Sequence, residues 1–327
     1  MEVFEKLNYE FTSGRIPKKE FDILSHFFDQ YLHAIKIHQA ISPQLQNCLL
    51  EYINLTIKEI ASPFNFQSYH KREKNPFDYY QLGIDFFTPL ILFENSYIIG
   101  SEHVKKMRQQ LNSGENVILF ANHQTEPDPQ VINILLQREK VHEVEEMIFV
   151  AGDRVITDPL AKPFSRGCNL LCVYSKKHID HPPELKEFKA RYNHKTMKTM
   201  SFLLSEGGKW IYVAPSGGRD RPNESGQVDV SPFDPQSIEM FDLISKRCPK
   251  PVHFYPLALS TYSLLPPPNC VEQEVGEERR TSCAPVKLSF GPEIDMHTLT
   301  DKEDKKEQRI EKSQKIWHMV AGLYRSL

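Results

Sequence analysis

No apolar run in the 327 residues approaches the ~20 needed for a helix to cross a bilayer. The N-terminus, MEVFEKLNYEF, has neither the apolar core of a signal peptide nor the Arg/Ser richness of a transit peptide. The expectation is a soluble, cytosolic chain. There is no basic excess: the net charge is −3, so an anion site must be local rather than spread over the surface. The six cysteines (48, 168, 172, 248, 270 and 283) form no CxxC pair, and no HExxH spacing is present. That argues for buried or incidental reduced thiols and against a metal centre. A GxxxxGK[ST] phosphate loop and a GxSxG nucleophile elbow are also missing, as is any internal repeat.

What is present is the texture of a folded protein. Hydrophobic residues make up 40% and charged residues 25%, and the length allows two domains. Residues 1–62 read as helical. One helix ends near Ser13. A second, over 18–38, lines up Phe21, Leu24, Phe28, Tyr31, Leu32 and Ile35. A third starts at Ser42-Pro43, with Leu45, Leu49, Tyr52, Ile53 and Ile60 in register. Residues 63–78 read as a linker with a solvated basic turn, His70-Lys71-Arg72-Glu73-Lys74. Beyond it, apolar segments near 116–121, 147–151, 169–174, 210–214, 253–259 and 286–290 have strand character. Helical patterns lie at 77–95 (broken at Pro89), 101–113, after Asp128, and over 183–206, 236–247 and 301–325. The pattern predicts a helical N-terminal region ahead of a larger α/β domain. The sheet of that domain is expected to be mixed and largely parallel, flanked by helices. The Pro-rich, then charged, stretch 263–285 reads as a surface excursion.

The chain centres on Asn116 to Arg138, NVILFANHQTEPDPQVINILLQR. An apolar run breaks into a polar turn holding His123 and Asp128, and a helical pattern follows. Ligands of open α/β sheets sit in loops that leave the carboxyl ends of strands. A histidine there takes a proton from an alcohol more readily when a carboxylate holds its other ring nitrogen. Asp128 is placed to do that if the turn folds back. Asp128-Pro129 is equally suited to be a helix cap and first helical residue, with His123 idle. Two further loops follow strands, Ser175-Lys176-Lys177-His178 and Pro215-Ser216-Gly217-Gly218-Arg219-Asp220-Arg221. Glycines admit backbone N–H groups to an anion, arginines offer paired donors to phosphate oxygens, and Lys177 adds a point charge. Either loop alone fits an exposed basic turn. Both at the edge that carries His123 suggest a phosphate clamp.

His123-Gln-Thr-Glu-Pro-Asp128 looks like the HxxxxD motif of glycerolipid acyltransferases. NHQTEPDP is accompanied by FVAGDRV (149–155), DPLAKPFS (158–165), VYSKKH (173–178), APSGGRDRP (214–222) and FYPLAL (254–259). This series resembles the soluble, plastid-type glycerol-3-phosphate acyltransferases and their bacterial relatives over about residues 70–325. The resemblance implies a small N-terminal helical bundle, residues 1–70, followed by the α/β domain, residues 71–327, with His123 and Asp128 as the catalytic pair and Lys177, His178, Arg219 and Arg221 as glycerol-phosphate ligands. No cofactor and no metal are expected. The implied reaction moves a fatty acyl group from acyl carrier protein or coenzyme A to the sn-1 hydroxyl of glycerol-3-phosphate. Two positions depart from the family pattern. Ser216-Gly217 stands where membrane-bound members carry Glu-Gly, and Pro127, which restricts Glu126 to extended geometry, replaces a small residue. A chain beginning at Met1 without a transit peptide suggests a bacterial cytoplasmic enzyme, the alternative being a processed form in the plastid stroma. Rival readings are a lysophosphatidate acyltransferase, a hydrolase using the same histidine with water, and an acyl-carrier-binding module. Tyr79, Tyr80, Phe86 and Phe87 are candidates to line an acyl channel, although core packing explains them equally. Lys71, Arg72 and Lys74 are candidates to receive an acidic carrier.

Overall fold

The computed structural model describes residues 2–175, 179–268 and 279–327. The chain opens with helices α1 (Glu2–Thr12), α2 (Lys18–His38) and α3 (Pro43–Ala61). Strand β1 (Tyr69–His70), helix α4 (Tyr79–Phe87), strand β2 (Tyr97–Ile99) and helix α5 (Ser101–Asn112) follow. Then come β3 (Asn116–Ala121), α6 (Asp128–Arg138), β4 (Ile148–Gly152), α7 (Arg154–Thr157), α8 (Lys162–Arg166) and β5 (Asn169–Val173). The chain closes with α9 (Lys186–Glu206), β6 (Trp210–Val213), α10 (Pro235–Arg247), β7 (Val252–Ser260), β8 (Lys287–Phe290) and α11 (Lys305–Arg325). Local chemistry sets several boundaries. Ser42 accepts the N–H of Leu45 ahead of Pro43, and Asp304 accepts the N–H groups of Lys306 and Glu307.

Among the described residues, eight strands form one mixed sheet in the order β1-β5-β4-β6-β3-β7-β8-β2. The five central strands, β5 to β7 in that order, run parallel, while β1 and β8 are antiparallel to their neighbours β5 and β7. The expected α/β architecture is therefore present, with the helical N-terminal segment ahead of it. Strand β3 shows why its sequence is uniformly apolar. Val117, Leu119 and Ala121 face the layer that holds Val131 and Leu135 of α6, and Ile118 and Phe120 face the layer that holds Met200, Phe241 and Val320. A strand covered on both faces has no polar side to alternate with.

The N-terminal helices share the first of these layers. Tyr31 Oη donates to the Phe86 carbonyl at 2.6 Å, and Tyr52 Oη donates to the Leu160 carbonyl at 2.9 Å. The Phe86 ring centroid lies 5.0 Å from both tyrosine rings. Each buried phenol thus combines apolar area with a satisfied hydroxyl. Tyr79, Phe86 and Phe87 are buried in this packing, and Tyr80 is buried with its hydroxyl donating to Asn133 Oδ1 at 3.0 Å.

Three local expectations change. Residues 69–70, inside the expected linker, form an edge strand on Leu170 and Leu171. Residues 97–99 pair with 287–289. Strands of two or three residues carry too few positions for a periodic signal, and their partners lie far along the chain. The basic turn is not a free patch. Arg72 is paired with Glu145 at 2.7 Å and Glu146 at 2.5 Å, and Lys74 with Glu145 at 3.1 Å, leaving Lys71 exposed. Of the cysteines, burial pushes the thiols of Cys48, Cys168 and Cys172 up to about 12. Cys270 lies outside the described residues. No helix among the described residues is long and apolar enough to cross a membrane.

Candidate active site

The carboxyl ends of β3 and β6 are level, because Phe120 pairs with Val213, and β7 flanks β3 with Ala121 opposite Leu257. The loops that follow these strands therefore meet at one edge of the sheet. Asp128, the first residue of α6, does not cap its own helix. Its carboxylate turns back into the preceding loop. Oδ2 lies 2.7 Å from His123 Nδ1 and accepts the Gln124 N–H at 2.8 Å, while Oδ1 accepts the Thr125 and Thr261 hydroxyls at 2.7 and 2.6 Å. The side chain is fully buried. Burial pushes its carboxyl up, but the His123 bond and charge, the Thr261 hydroxyl and the Gln124 N–H outweigh it and hold it below the ordinary carboxylate value. An ionised carboxylate only accepts, so Nδ1 carries a proton, and in the neutral imidazole the lone pair then sits on Nε2. The His123 side chain keeps 29% exposure, so the ring is open to a ligand while Asp128 is not.

Asn122 fixes the start of this loop. Its Oδ1 accepts the Leu259 N–H at 2.7 Å, its Nδ2 donates to the Leu259 carbonyl at 3.0 Å, and its own carbonyl accepts the Tyr212 hydroxyl at 2.7 Å. Gln124 Oε1 accepts the N–H groups of Thr261 and Tyr262 at 2.7 and 3.0 Å. Side chains on both flanks of His123 are thereby tied to the end of β7.

The 214–221 loop turns at Gly217, whose φ of +66° suits a residue without Cβ. Ser216 Oγ donates to the Gly218 carbonyl at 3.0 Å. Arg219 Nη1 lies 3.6 Å from Glu126 Oε1, within the HxxxxD loop. Arg221 donates to the carbonyls of Pro268 and Arg219 at 3.2 and 3.1 Å. His123, Asp128, Arg219 and Arg221 are thus assembled at one edge. Lys177 and His178 lie outside the described residues. The segment before them leaves β5 beside β4, with the Tyr174 N–H and carbonyl held by Asn193 of α9.

Sequence reasoning missed Arg279. The 263–285 stretch was expected to be a surface excursion, yet Arg279 is buried. It donates to Glu126 at 3.1 and 3.4 Å and to Asp158 at 2.8 Å. Burial alone would lower its affinity for a proton, but the charges of Glu126 and Asp158 raise it. Nothing in the Arg279-Arg280 pair distinguishes the buried arginine from its exposed neighbour. The signal lay instead in the acidic residues of two loop motifs that needed a counter-charge.

The class defined by this edge, a strand–HxxxxD–helix unit beside a cationic loop, agrees with comparison to known proteins. The family model described as Acyltransferase matches residues 98–260. The chain is 45% identical over 306 residues to the chloroplastic glycerol-3-phosphate acyltransferase of Pisum sativum, covering 91% of this chain and 66% of that one. It is 40% identical over 303 residues to that of Spinacia oleracea, with 91% and 64% covered. With the Arabidopsis thaliana protein it shares 37% identity over 323 residues, with 97% and 70% covered. The chain belongs to the glycerol-3-phosphate acyltransferase family, and it spans about two thirds of the length of these relatives. Among solved structures, the 1-acyl-sn-glycerophosphate acyltransferase PlsC of Thermotoga maritima matches with a TM-score of 0.43 at 19% identity, covering 75% of this chain and 78% of that one.

Proposed function

We propose that this protein is a glycerol-3-phosphate 1-O-acyltransferase, taking a fatty acyl group from a thioester of acyl carrier protein or coenzyme A. The observation that carries the reading is the 2.7 Å contact between His123 Nδ1 and the buried Asp128 carboxylate. Arg219 and Arg221, with Lys177 and His178, hold the phosphate and bring the sn-1 hydroxyl to Nε2 of His123. That nitrogen takes the hydroxyl proton as the oxygen attacks the thioester carbonyl carbon. Asp128 balances the imidazolium that forms. Collapse of the tetrahedral intermediate breaks the C–S bond, and His123 returns the proton to the departing sulfur. The products are 1-acyl-glycerol-3-phosphate and a free thiol, with no cofactor in the balance. Orienting the two reactants contributes heavily, since effective molarities for aligned groups are large. The relatives are chloroplastic by name, and the compartment we infer is a plastid stroma or a bacterial cytoplasm.

The test uses purified protein, labelled glycerol-3-phosphate, and palmitoyl- or oleoyl-acyl carrier protein with the coenzyme A esters in parallel. Labelled lysophosphatidate is the expected product, and the ratio of rates identifies the donor. Release of free fatty acid alone would make the protein a hydrolase. Carrier binding without turnover would make it a binding module.

A further inference from the structure

Asp220 stands between the two arginines of the proposed clamp and is fully buried. Its backbone N–H donates to the carbonyl of His123 at 2.6 Å. One carboxylate oxygen accepts Asn122 Nδ2 at 2.9 Å, and the other accepts the Ser231 N–H at 2.9 Å. The clamp loop is therefore joined twice to the segment that carries His123, once through backbone and once through the side chain of the preceding residue. Asn122 is itself anchored to Leu259 and Tyr212, so the junction is braced against the sheet. Burial raises the Asp220 carboxyl above its ordinary value, and the bonds from Ser231 and Asn122 oppose that rise. A buried carboxylate is costly unless donors meet it, and here two donors do.

We propose that Asp220 is a positioning residue that sets the distance between the clamp arginines and the His123 ring. The inference rests on the acyltransferase reading above. Energy from binding a remote phosphate lowers the barrier only if the phosphate site and the base are rigidly related. A misplacement of about 1 Å costs on the order of 10²-fold in rate. Asp220→Asn keeps the size and the backbone N–H but sets an amide donor against the donors of Asn122 or Ser231. The arginines remain, so the phosphate still binds, out of register with the base.

The experiment measures kcat at saturating glycerol-3-phosphate and, separately, the calorimetric Kd for glycerol-3-phosphate without donor. The proteins are the wild type, Asp220→Asn and Asn122→Ala, the last removing the same bond from the other side. The expected result is a kcat lowered about 10²-fold in both variants, with Kd within about threefold of wild type. Kd weakening in step with kcat would reduce the residue to a structural role and overturn the inference, as would an unchanged kcat. A wild-type protein that turns over no glycerol-3-phosphate would instead overturn the functional reading on which the inference stands.

Discussion

Asp128 Oδ2 sits 2.7 Å from His123 Nδ1 while the rest of the carboxylate is filled by the Thr125 and Thr261 hydroxyls and by backbone N–H groups. The carboxylate therefore has one direction in which to point, and it holds the imidazole in the tautomer that presents a lone pair on Nε2. His123→Ala should lower kcat by about 10²–10⁴, the usual worth of a positioned general base, with a small change in KM for glycerol-3-phosphate. Asp128→Asn should also lower kcat, because the amide can stabilise the wrong tautomer. Steady-state kinetics of the two purified variants checks both, and near-wild-type turnover by His123→Ala would remove the base assignment.

Arg219 tests the other half of the site. Arg219→Ala should raise KM for glycerol-3-phosphate by about 10–100-fold, since hydrogen bonds to charged groups contribute about 1.5–3 kcal/mol. The effect on kcat should be smaller. Initial rates over a range of glycerol-3-phosphate at fixed donor measure it, and an unchanged KM takes Arg219 out of the clamp.

Arg279 is held between Glu126 and Asp158 at 3.1 and 2.8 Å and is buried. Arg279→Met leaves two carboxylates without their shared cation. Breaking a buried ion pair from one side typically costs about 3–5 kcal/mol. Urea unfolding should show a loss of that order. A loss below about 1 kcal/mol would mean that solvent already screens the cluster.

Glu293 gives a pH test away from the site. Partial burial raises its carboxyl, but the Lys106 bond and the His253 bond and charge outweigh that and bring it from 4.5 to about 2. Its folded value lies below its unfolded one, so the carboxylate contributes stability at neutral pH. That contribution fades as pH falls from about 4.5 through about 2. Glu293→Gln should therefore have a lower melting temperature than the wild type at pH 7. The gap should narrow with acid through that window, as followed by thermal melts. A gap that is constant with pH would show that the stabilisation does not come from the charge.

The sequence by itself determined the parts whose signal is local. The run 117–121 has the composition of a strand covered on both faces. The three- and four-residue spacing of Val131, Ile132, Leu135 and Leu136 gives α6, and Ser42-Pro43 marks the start of α3. The family blocks, each a short contiguous phrase, were legible for the same reason. Tertiary structure decided whether Asp128 caps its helix or turns back to His123, because the choice depends partly on Thr261, 133 residues away. It also decided that Arg279 is buried against Glu126, 153 residues away, and that Asp220 accepts from Asn122 across 98 residues. Residues 69–70 became a strand because β5 offered its edge. Periodicity and capping are written within one turn or one pleat of the chain. Charge partners and sheet edges are set only when the whole chain has folded around them.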